Sequence, residues 1–194
     1  MVKYKSTVDG NIESLVKLVA ELTEEQRQTI ERIAVVAAAT LNSGGTIFWS
    51  GNGGSAADAQ HLSAELIGRL VGNRKPLSSI SLNSDIAAIT CISNDFGFSD
   101  IYARQLEGVG RKQDLLIVLS TSGNSENIIN CLKKARELGI LTASLLGKGG
   151  GKARQLADHE LIIASADTAR IQETHKFIGH TICQIIEKEL GYQP

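Results

Sequence analysis

Two segments of the chain carry side chains that could transfer protons or bind a metal. His61 and Glu65 are four residues apart, so a helix would project both from one face. Gln172 and His180 are eight residues apart, which again predicts one helical face, with the two about two turns apart. Zinc accepts imidazole and carboxylate ligands, and the same groups transfer protons without a metal. Spacing alone favours an ordinary surface pair on either helix, and it predicts that Lys176 is a solvated charge.

The segment before His61, SGNGGSAAD, is a glycine turn that follows an apolar run and opens a helix. Gly51, Gly53 and Gly54 allow a tight turn, and the helix start offers free N–H groups to an anion. Together with Ala56, the glycines also match a dinucleotide fingerprint. However, Asp85, an acid placed to bind a ribose, lies more than 30 residues after Gly51, where about 20 are expected. No Lys-Ser/Thr follows the glycines, so the turn is not a P-loop.

A second turn, LSTSGNSENI, also follows an apolar run and opens a helix. Ser120, Thr121, Ser122 and Ser125 place four hydroxyls around a glycine. Hydroxyls and backbone N–H groups can hold a phosphate without Lys or Arg. Because a helix cap needs only one such side chain, the turn predicts a phosphate site.

These residues require a scaffold of alternating strands and helices. Apolar periodicity predicts two helices within residues 8–42 and five strands further on, each followed by a helix, including a short one at 151–157. This alternation is typical of a three-layer α/β sandwich on a parallel sheet. Ligands of such folds bind at the carboxyl ends of the strands. The loops at those ends are residues 50–55, 83–85, 120–125, 147–151 and 165–168.

Composition limits the class of protein further. The 194 residues fit one domain, and 42% hydrophobic with 21% charged residues is typical of a soluble globular chain. A net charge of −1 gives no reason to expect nucleic acid or an anionic membrane. No apolar run reaches the roughly 20 residues of a spanning helix, and no signal peptide is evident, so we expect a cytoplasmic protein. The three cysteines are far apart and predict buried or half-buried thiols rather than disulfides or a cysteine zinc site.

Four motifs together resemble the phosphoheptose isomerase group of the sugar isomerase (SIS) domain family: SGNGGSAADAQHLSAELIGR, SNDFGF, LSTSGNSENI and TARIQETHKFIGH. The resemblance runs from about Gly44 to the C-terminus. It implies one SIS domain over 1–194, with a helical segment at 1–43 and a flavodoxin-like, doubly wound core at 44–194. It also implies a five-stranded parallel sheet between helices and a homotetramer. The implied reaction converts sedoheptulose 7-phosphate to D-glycero-D-manno-heptose 7-phosphate, an aldose–ketose isomerisation that begins heptose synthesis for lipopolysaccharide and other surface glycans.

The resemblance also implies roles for particular residues. Glu65 would be the base and His180 its acid partner. One zinc ion per subunit would bind His61, Glu65, Gln172 and His180, with no nucleotide cofactor. The sugar phosphate would contact Asn52, Gly53, Gly54, Ser55, Glu65, Asn94, Asp95, Ser120, Thr121, Ser122, Ser125 and Gln172. Ala169 departs from the pattern, since some members have Asp there.

Two other classes of function are compatible with these motifs. A non-catalytic SIS protein could bind a replication initiator, as the DnaA-initiator-associating protein does, or could sense a sugar phosphate. Such proteins are expected to lack the acid/base pair, whereas this chain has His61, Glu65 and His180. The dinucleotide interpretation is the weakest, because the SIS resemblance explains the same glycines.

Overall fold

The chain begins with two consecutive helices, in agreement with the periodicity of residues 8–42. The structure, a computed structural model, describes residues 3–192. Helix α1 spans Lys5–Ala20 and α2 spans Glu24–Asn42. Thr23 caps α2 by accepting a hydrogen bond from the Gln26 N–H at 3.2 Å, and the Gln26 side chain accepts from the Thr23 N–H at 2.9 Å. This reciprocal pair satisfies two N–H groups of the first turn and fixes where α2 starts.

A five-stranded, entirely parallel sheet forms the middle layer. The strand order is β2-β1-β3-β4-β5. The strands are β1 Ile47–Gly51, β2 Ser79–Ser81, β3 Leu115–Ser120, β4 Leu141–Gly147 and β5 His159–Ile163. Every residue of β1 and β3 is buried, as expected for strands covered on both faces. The predicted five-stranded parallel sheet is confirmed.

Five further helices cover the sheet. They are α3 Gly54–Ile67, α4 Ile86–Asp95, α5 Ile101–Val109, α6 Glu126–Leu138 and α7 Thr168–Glu189, with short 3₁₀ turns at Phe98–Asp100 and Lys148–Ala153. One hydrophobic cluster joins α2, α3 and α7 to the sheet, and a second joins α5 and α6 to its other face. The predicted three-layer α/β sandwich is therefore confirmed. In the part of the chain that the structure describes, no helix is long and apolar enough to cross a membrane.

Two local predictions were wrong. In place of the predicted helix at 151–157, 3₁₀ turns occupy Lys148–Ala153. Gly149, Gly150 and Gly151 all have positive φ there, which interrupts helical geometry. Among the cysteines, Cys131 and Cys183 are buried, but Cys91 is exposed on α4. Burial raises the pKa of Cys131 to about 12 and raises that of Cys183 as well, so both stay protonated near neutral pH.

The strand order places a ligand-binding crevice between β1 and β3. These neighbouring strands are not consecutive in the chain, and their following helices leave in opposite directions. Helix α3 packs in one hydrophobic cluster and α6 in the other. The loops after β1 and β3 therefore separate at this point, where doubly wound folds bind their ligands. They are the glycine turn and the hydroxyl-rich turn.

Candidate active site

The predicted acid/base residues of α3 and α7 meet. His61 Nε2 lies 2.8 Å from His180 Nε2 and 3.4 Å from Glu65 Oε1. The ligand atoms of all three residues lie within 4.8 Å of one another. The imidazole rings are edge-on, with centroids 5.0 Å apart. All three side chains are half-buried, so they remain accessible to a ligand.

A glycine allows the two helices to approach closely enough for this contact. Gly179, the residue before His180, lies against Leu62, the residue after His61. A Cβ atom at Gly179 would lie 2.4 Å from Leu62 Cδ1, so no other residue fits without displacing the leucine. The position of His180 over α3 thus depends on a residue without a side chain.

The environment favours a neutral His180. Burial lowers its pKa, and the neighbouring His61 lowers it further, while Glu65 opposes these effects. A neutral imidazole has one N–H donor and one nitrogen lone pair. His180 can therefore donate a hydrogen bond to a substrate oxygen, or bind a metal, near neutral pH.

The donor set fits a zinc ion. Two imidazoles and a carboxylate are typical ligands of catalytic zinc, with one position left for substrate. The distance of 2.8 Å between His61 Nε2 and His180 Nε2 is close to the roughly 3.4 Å between two nitrogen ligands of a tetrahedral zinc ion. A small rotation of the rings would bring the two nitrogens to that separation. Of the four ligands predicted, His61, Glu65 and His180 form this cluster.

Gln172, the fourth predicted ligand, lies two turns earlier on α7, against the start of α3. A Cβ atom at Gly54 would lie 2.7 Å from Gln172 Nε2 and 2.8 Å from Oε1. The Gln172 amide therefore packs over the glycine turn, about two turns of α7 before His180. This position suits contact with a sugar, and its role as a ligand stays a prediction.

An ion pair that sequence analysis missed lies between Gln172 and the histidine cluster. Lys176 Nζ is 3.6 Å from Asp58 Oδ1, and Asp58 is buried. Lys176 is exposed, as predicted for a solvated charge, and it also pairs with Asp58. A signal was available, because Asp58 precedes His61 by three residues and so shares its face of α3.

Hydrogen bonds of buried and half-buried side chains hold the glycine turn in place. The Asn52 and Asn127 amides donate to each other, at 2.8 and 2.9 Å. The Tyr102 hydroxyl donates to the Gly51 carbonyl and lies 3.1 Å from Asn52 Oδ1, and it accepts from Asn83 Nδ2 at 2.7 Å. Burial raises the pKa of Tyr102 to about 12, which keeps the donor protonated. Sequence patterns did not reveal Tyr102 or Asn127, because the network joins residues of separate segments.

The start of α3 is open towards the crevice. Gly53 has a φ of +59° and is exposed, with no atom within 4 Å of the place where a Cβ would stand. No side chain caps the helix. The N–H groups of Ser55 and Ala56 donate to the carbonyls of Asn52 and Gly53, at 3.1 and 3.0 Å. The N–H groups of Gly53 and Gly54 make no such bond and are available to an acceptor.

The hydroxyl-rich turn is similarly arranged at the start of α6. Ser125 occupies the N-cap position, but its side chain makes no capping hydrogen bond. Ser120 Oγ accepts from the Gly123 N–H at 3.1 Å, and Ser122 Oγ accepts from the Asn124 N–H at 3.2 Å. These two bonds shape the turn and leave the hydroxyl protons of both serines free to be donated.

The loop after β4 supports this turn. Gly123 has a φ of +62°, and a Cβ there would lie 1.8 Å from the Gly150 carbonyl oxygen. Ala153 donates its N–H to the Gly123 carbonyl at 2.8 Å. The glycines of Lys148–Ala153 therefore form the backing of the hydroxyl-rich turn.

Acidic caps occupy two of the other loops at this edge of the sheet. Asp85 accepts from the Ala88 N–H at 2.9 Å, and Asp167 accepts from the Ala169 N–H at 2.8 Å. An acid at a helix start disfavours anion binding there. Because Asp85 serves as a cap, it is also poorly suited to bind a ribose, which further weakens the dinucleotide interpretation.

Asn94 and Asp95 lie at the end of α4 and are exposed. Their side-chain hydrogen bonds are local, with Asn94 Nδ2 donating to Asp95 Oδ1 at 2.7 Å and Cys91 Sγ 3.6 Å from Asp95 Oδ2. Helix α4 buries none of its residues. Contact of these two residues with a sugar stays a prediction.

Comparison with known proteins agrees with this fold. The SIS domain family matches residues 12–147, more than half of the chain. A phosphoheptose isomerase of Aliarcobacter butzleri is 48% identical over 174 residues, which cover 90% of this chain and 92% of that protein. One from Helicobacter pylori is 45% identical over 181 residues, covering 93% and 92%. The solved structure of a phosphoheptose isomerase from Francisella tularensis superposes with a TM-score of 0.90 at 34% identity, covering 94% of this chain and 97% of that one.

The chain therefore belongs to the SIS domain family and, within it, to the phosphoheptose isomerases, which makes it an isomerase.

Proposed function

We propose that this enzyme interconverts sedoheptulose 7-phosphate and D-glycero-D-manno-heptose 7-phosphate, a step towards the heptose of lipopolysaccharide and other surface glycans. The observation that carries the proposal is the meeting of His61, Glu65 and His180 beside two open helix starts. An aldose–ketose exchange moves one proton between neighbouring carbons and another between their oxygens. The site has a carboxylate for the first transfer and imidazoles for the second.

Glu65 is the proposed base. Its carboxylate removes the proton from one of the first two sugar carbons and returns it to the other, through an enediol. Glu65 Oε1 lies 3.4 Å from His61 Nε2, which helps to hold the carboxylate in place. Without a metal on its ring, His180 donates to the carbonyl oxygen as negative charge develops there.

Zinc is the proposed cofactor, held by His61, Glu65 and His180, with Gln172 as a further candidate ligand. When bound, it would polarise the carbonyl and stabilise negative charge on the sugar oxygens. The neutral state favoured for His180 suits metal binding, because a protonated imidazole has no free lone pair.

Phosphate binding would hold the sugar in register with Glu65. We assign the phosphate to Ser120, Thr121, Ser122 and Ser125 at the start of α6. We assign the sugar hydroxyls to Asn52, Gly53, Gly54, Ser55, Asn94, Asp95 and Gln172. Binding energy gained at the phosphate would then orient the reacting carbons. A phosphorylated substrate also fits a cytoplasmic enzyme.

The surface of α1 supports assembly into the proposed homotetramer. Tyr4, Val8, Ile12 and Val16 recur every four residues, and each is more than half exposed. A neighbouring groove of about 480 Å³ between α1, α2 and α7 includes Phe177, also exposed. Exposed apolar side chains grouped in this way support contact with another subunit. Each subunit would be one SIS domain over 1–194, with the helices of 1–43 at the interface.

The direct test is NMR of the purified protein mixed with sedoheptulose 7-phosphate, first with zinc and then with chelator. Appearance of the aldose establishes the isomerase, and its loss with chelator makes the metal functional. Activity that survives chelation indicates metal-free acid/base catalysis by Glu65 and His180. If no aldose appears in either condition, the enzyme proposal fails and a non-catalytic SIS protein is favoured.

Glu65→Gln tests the proposed base. We expect turnover to fall by roughly 10²–10⁴-fold, with the circular dichroism spectrum unchanged. Glu107→Gln is the matched control, because Glu107 pairs with Lys134 on the other face of the sheet; its turnover should match that of the wild type. Wild-type turnover by Glu65→Gln would remove Glu65 from the role of base.

A further inference from the structure

A fully buried ion pair joins the segment after α3 to the last turn of α7. Arg74 Nε donates to Glu187 Oε1 at 2.6 Å, and the two side chains are 0% and 2% exposed. Burying two charges costs several kcal/mol per ion unless their hydrogen bonds are nearly complete, and an apolar pair often stabilises a fold as well. Holding two segments together does not by itself explain why charged residues are buried at this position.

Arg74 supplies hydrogen bonds that an apolar residue could not. Its Nη2 donates to the carbonyl of Glu65 at 2.7 Å, and its Nη1 donates to the carbonyl of Leu66 at 2.8 Å. These carbonyls belong to the last turn of α3, where no further turn of helix can satisfy them. The Leu66 carbonyl also accepts from the Leu77 N–H at 3.0 Å. A positive charge at this end also interacts favourably with the helix dipole. The guanidinium thus fixes the turn that carries Glu65.

Glu187, on α7, forms hydrogen bonds with the segment after α3 that contains Arg74. Its carboxylate accepts from the N–H groups of Leu70 at 3.2 Å and Val71 at 3.3 Å, in addition to Arg74. Glu187 follows His180 by seven residues, so it lies on the same face of α7, about 10 Å further along. One hydrogen-bonded unit therefore connects the helix of Glu65 to the helix of His180.

We propose that Arg74 and Glu187 form a positioning pair for catalysis, which sets the register of α3 against α7 and hence that of Glu65 and His61 against His180. Neither residue touches the substrate. Displacing a catalytic group by about 1 Å can cost on the order of 10²-fold in rate. The inference rests on the proposed function, because it assigns a role in the same reaction.

The test compares Arg74→Lys and Glu187→Gln with a control that loses a buried carboxylate elsewhere. Arg74→Lys keeps the charge but cannot reach both carbonyls, and Glu187→Gln keeps the shape but removes the charge. Asp114→Asn is the control. Asp114 is buried and accepts from the N–H groups of Thr46 and Arg111, before β1 and β3 and therefore at the opposite end of the sheet.

Four properties are measured for each variant. The kcat, the KM and the visible absorption spectrum after loading with Co²⁺ are measured well below the unfolding temperature, and the thermal midpoint is measured separately. We expect both pair variants to lose roughly 10–100-fold in kcat, to change KM by less than about threefold, and to show an altered Co²⁺ spectrum. Asp114→Asn should lower the thermal midpoint and leave the other properties as in the wild type. Recovery of part of kcat in Arg74→Lys relative to Arg74→Gln would support the same conclusion.

The proposal is overturned if the pair variants lose stability but keep the kcat and the Co²⁺ spectrum of the wild type, since the pair is then only structural. The proposal is also overturned if Asp114→Asn changes kcat and the Co²⁺ spectrum as much as the Arg74 and Glu187 variants do. Failure of the proposed function can be told apart from failure of this inference. If the wild type has no isomerase activity, the Co²⁺ spectra still show whether the pair sets the geometry of His61, Glu65 and His180.

Discussion

Individual histidines of this chain have opposite roles, which their surroundings decide. His180 is half-buried and faces His61 across a site open to ligand. His175, five residues earlier on α7, is completely buried, and its Nε2 lies 3.1 Å from the Leu146 carbonyl. Burial lowers its pKa to about 4. Its burial against β4 makes His175 a structural residue, and it gives the protein a measurable sensitivity to acid.

We expect the free energy of unfolding to fall as the pH falls from about 6.5 towards 4. The unfolded His175 binds a proton near pH 6.5, while the folded one binds it only near pH 4. In this window the unfolded state therefore binds more protons, and stability falls by about 1.4 kcal/mol per pH unit, or about 2 kcal/mol between pH 6.5 and 5.

Urea unfolding at several pH values checks this prediction. His175→Gln keeps a donor for the Leu146 carbonyl but cannot titrate, so its stability should depend less on pH in this window. The same pH dependence in variant and wild type would show that other groups control acid sensitivity.

The elements determine how the side chains are presented, and two helix starts show the difference between a cap and a binding position. Thr23 makes a capping hydrogen bond at the start of α2. Ser125 occupies the same position of α6 without making one. A hydroxyl that does not cap its own helix is available to a ligand.

We therefore expect opposite results from the same kind of substitution. Thr23→Ala should lower the free energy of unfolding by about 1 kcal/mol and leave KM unchanged. Ser125→Ala should change stability little and raise KM for the sugar phosphate about tenfold, because a hydrogen bond to a charged phosphate is lost. Chemical denaturation and steady-state kinetics measure both. A stability loss in Ser125→Ala with unchanged KM would identify it as a cap.

Contact between α3 and α7 depends on Gly179. We expect Gly179→Ala to destabilise the protein by about 1–3 kcal/mol and to reduce kcat, because the new methyl group pushes Leu62 and displaces His180. Gly108→Ala is the control: it lies in α5 with no atom within 4 Å of the added Cβ, and alanine there should be neutral or stabilising. Full activity of Gly179→Ala would show that the helices can separate without harm.

At the scale of the whole molecule, the sheet is covered on both faces, but α1 buries none of its own residues. The proposed homotetramer would cover the exposed apolar residues of this helix. In a monomer, the exposed apolar surface of α1 would have no structural explanation.

Ile12→Glu should therefore weaken subunit association, which sedimentation velocity measures over a range of concentrations. A charge buried at an apolar interface loses its hydration without a partner. Ser14→Glu, on the opposite side of α1 and exposed, is the control and should leave the assembly intact. An unchanged sedimentation coefficient for Ile12→Glu would place the interface elsewhere.

Periodicity determined much of the fold in advance. Apolar runs such as LLIVLS are typical of strands covered on both faces, and their alternation with helices predicted the parallel sheet, because local patterns of burial repeat with the geometry of each element. The motifs also gave His61, Glu65 and His180 as candidates. The exceptions were local: the glycines after β4 adopt positive φ in place of a helix.

Only the tertiary structure decided which of these residues meet. Asn52 and Asn127 are 75 residues apart in sequence, and His61 and His180 are 119 apart, so no periodic pattern links them. The same holds for Arg74 and Glu187, which look like ordinary surface charges until packing buries them together. Spacing along one helix selects the face of a side chain, whereas the partner across the interface depends on how helices pack, and here that packing depends on the absence of a side chain at Gly179.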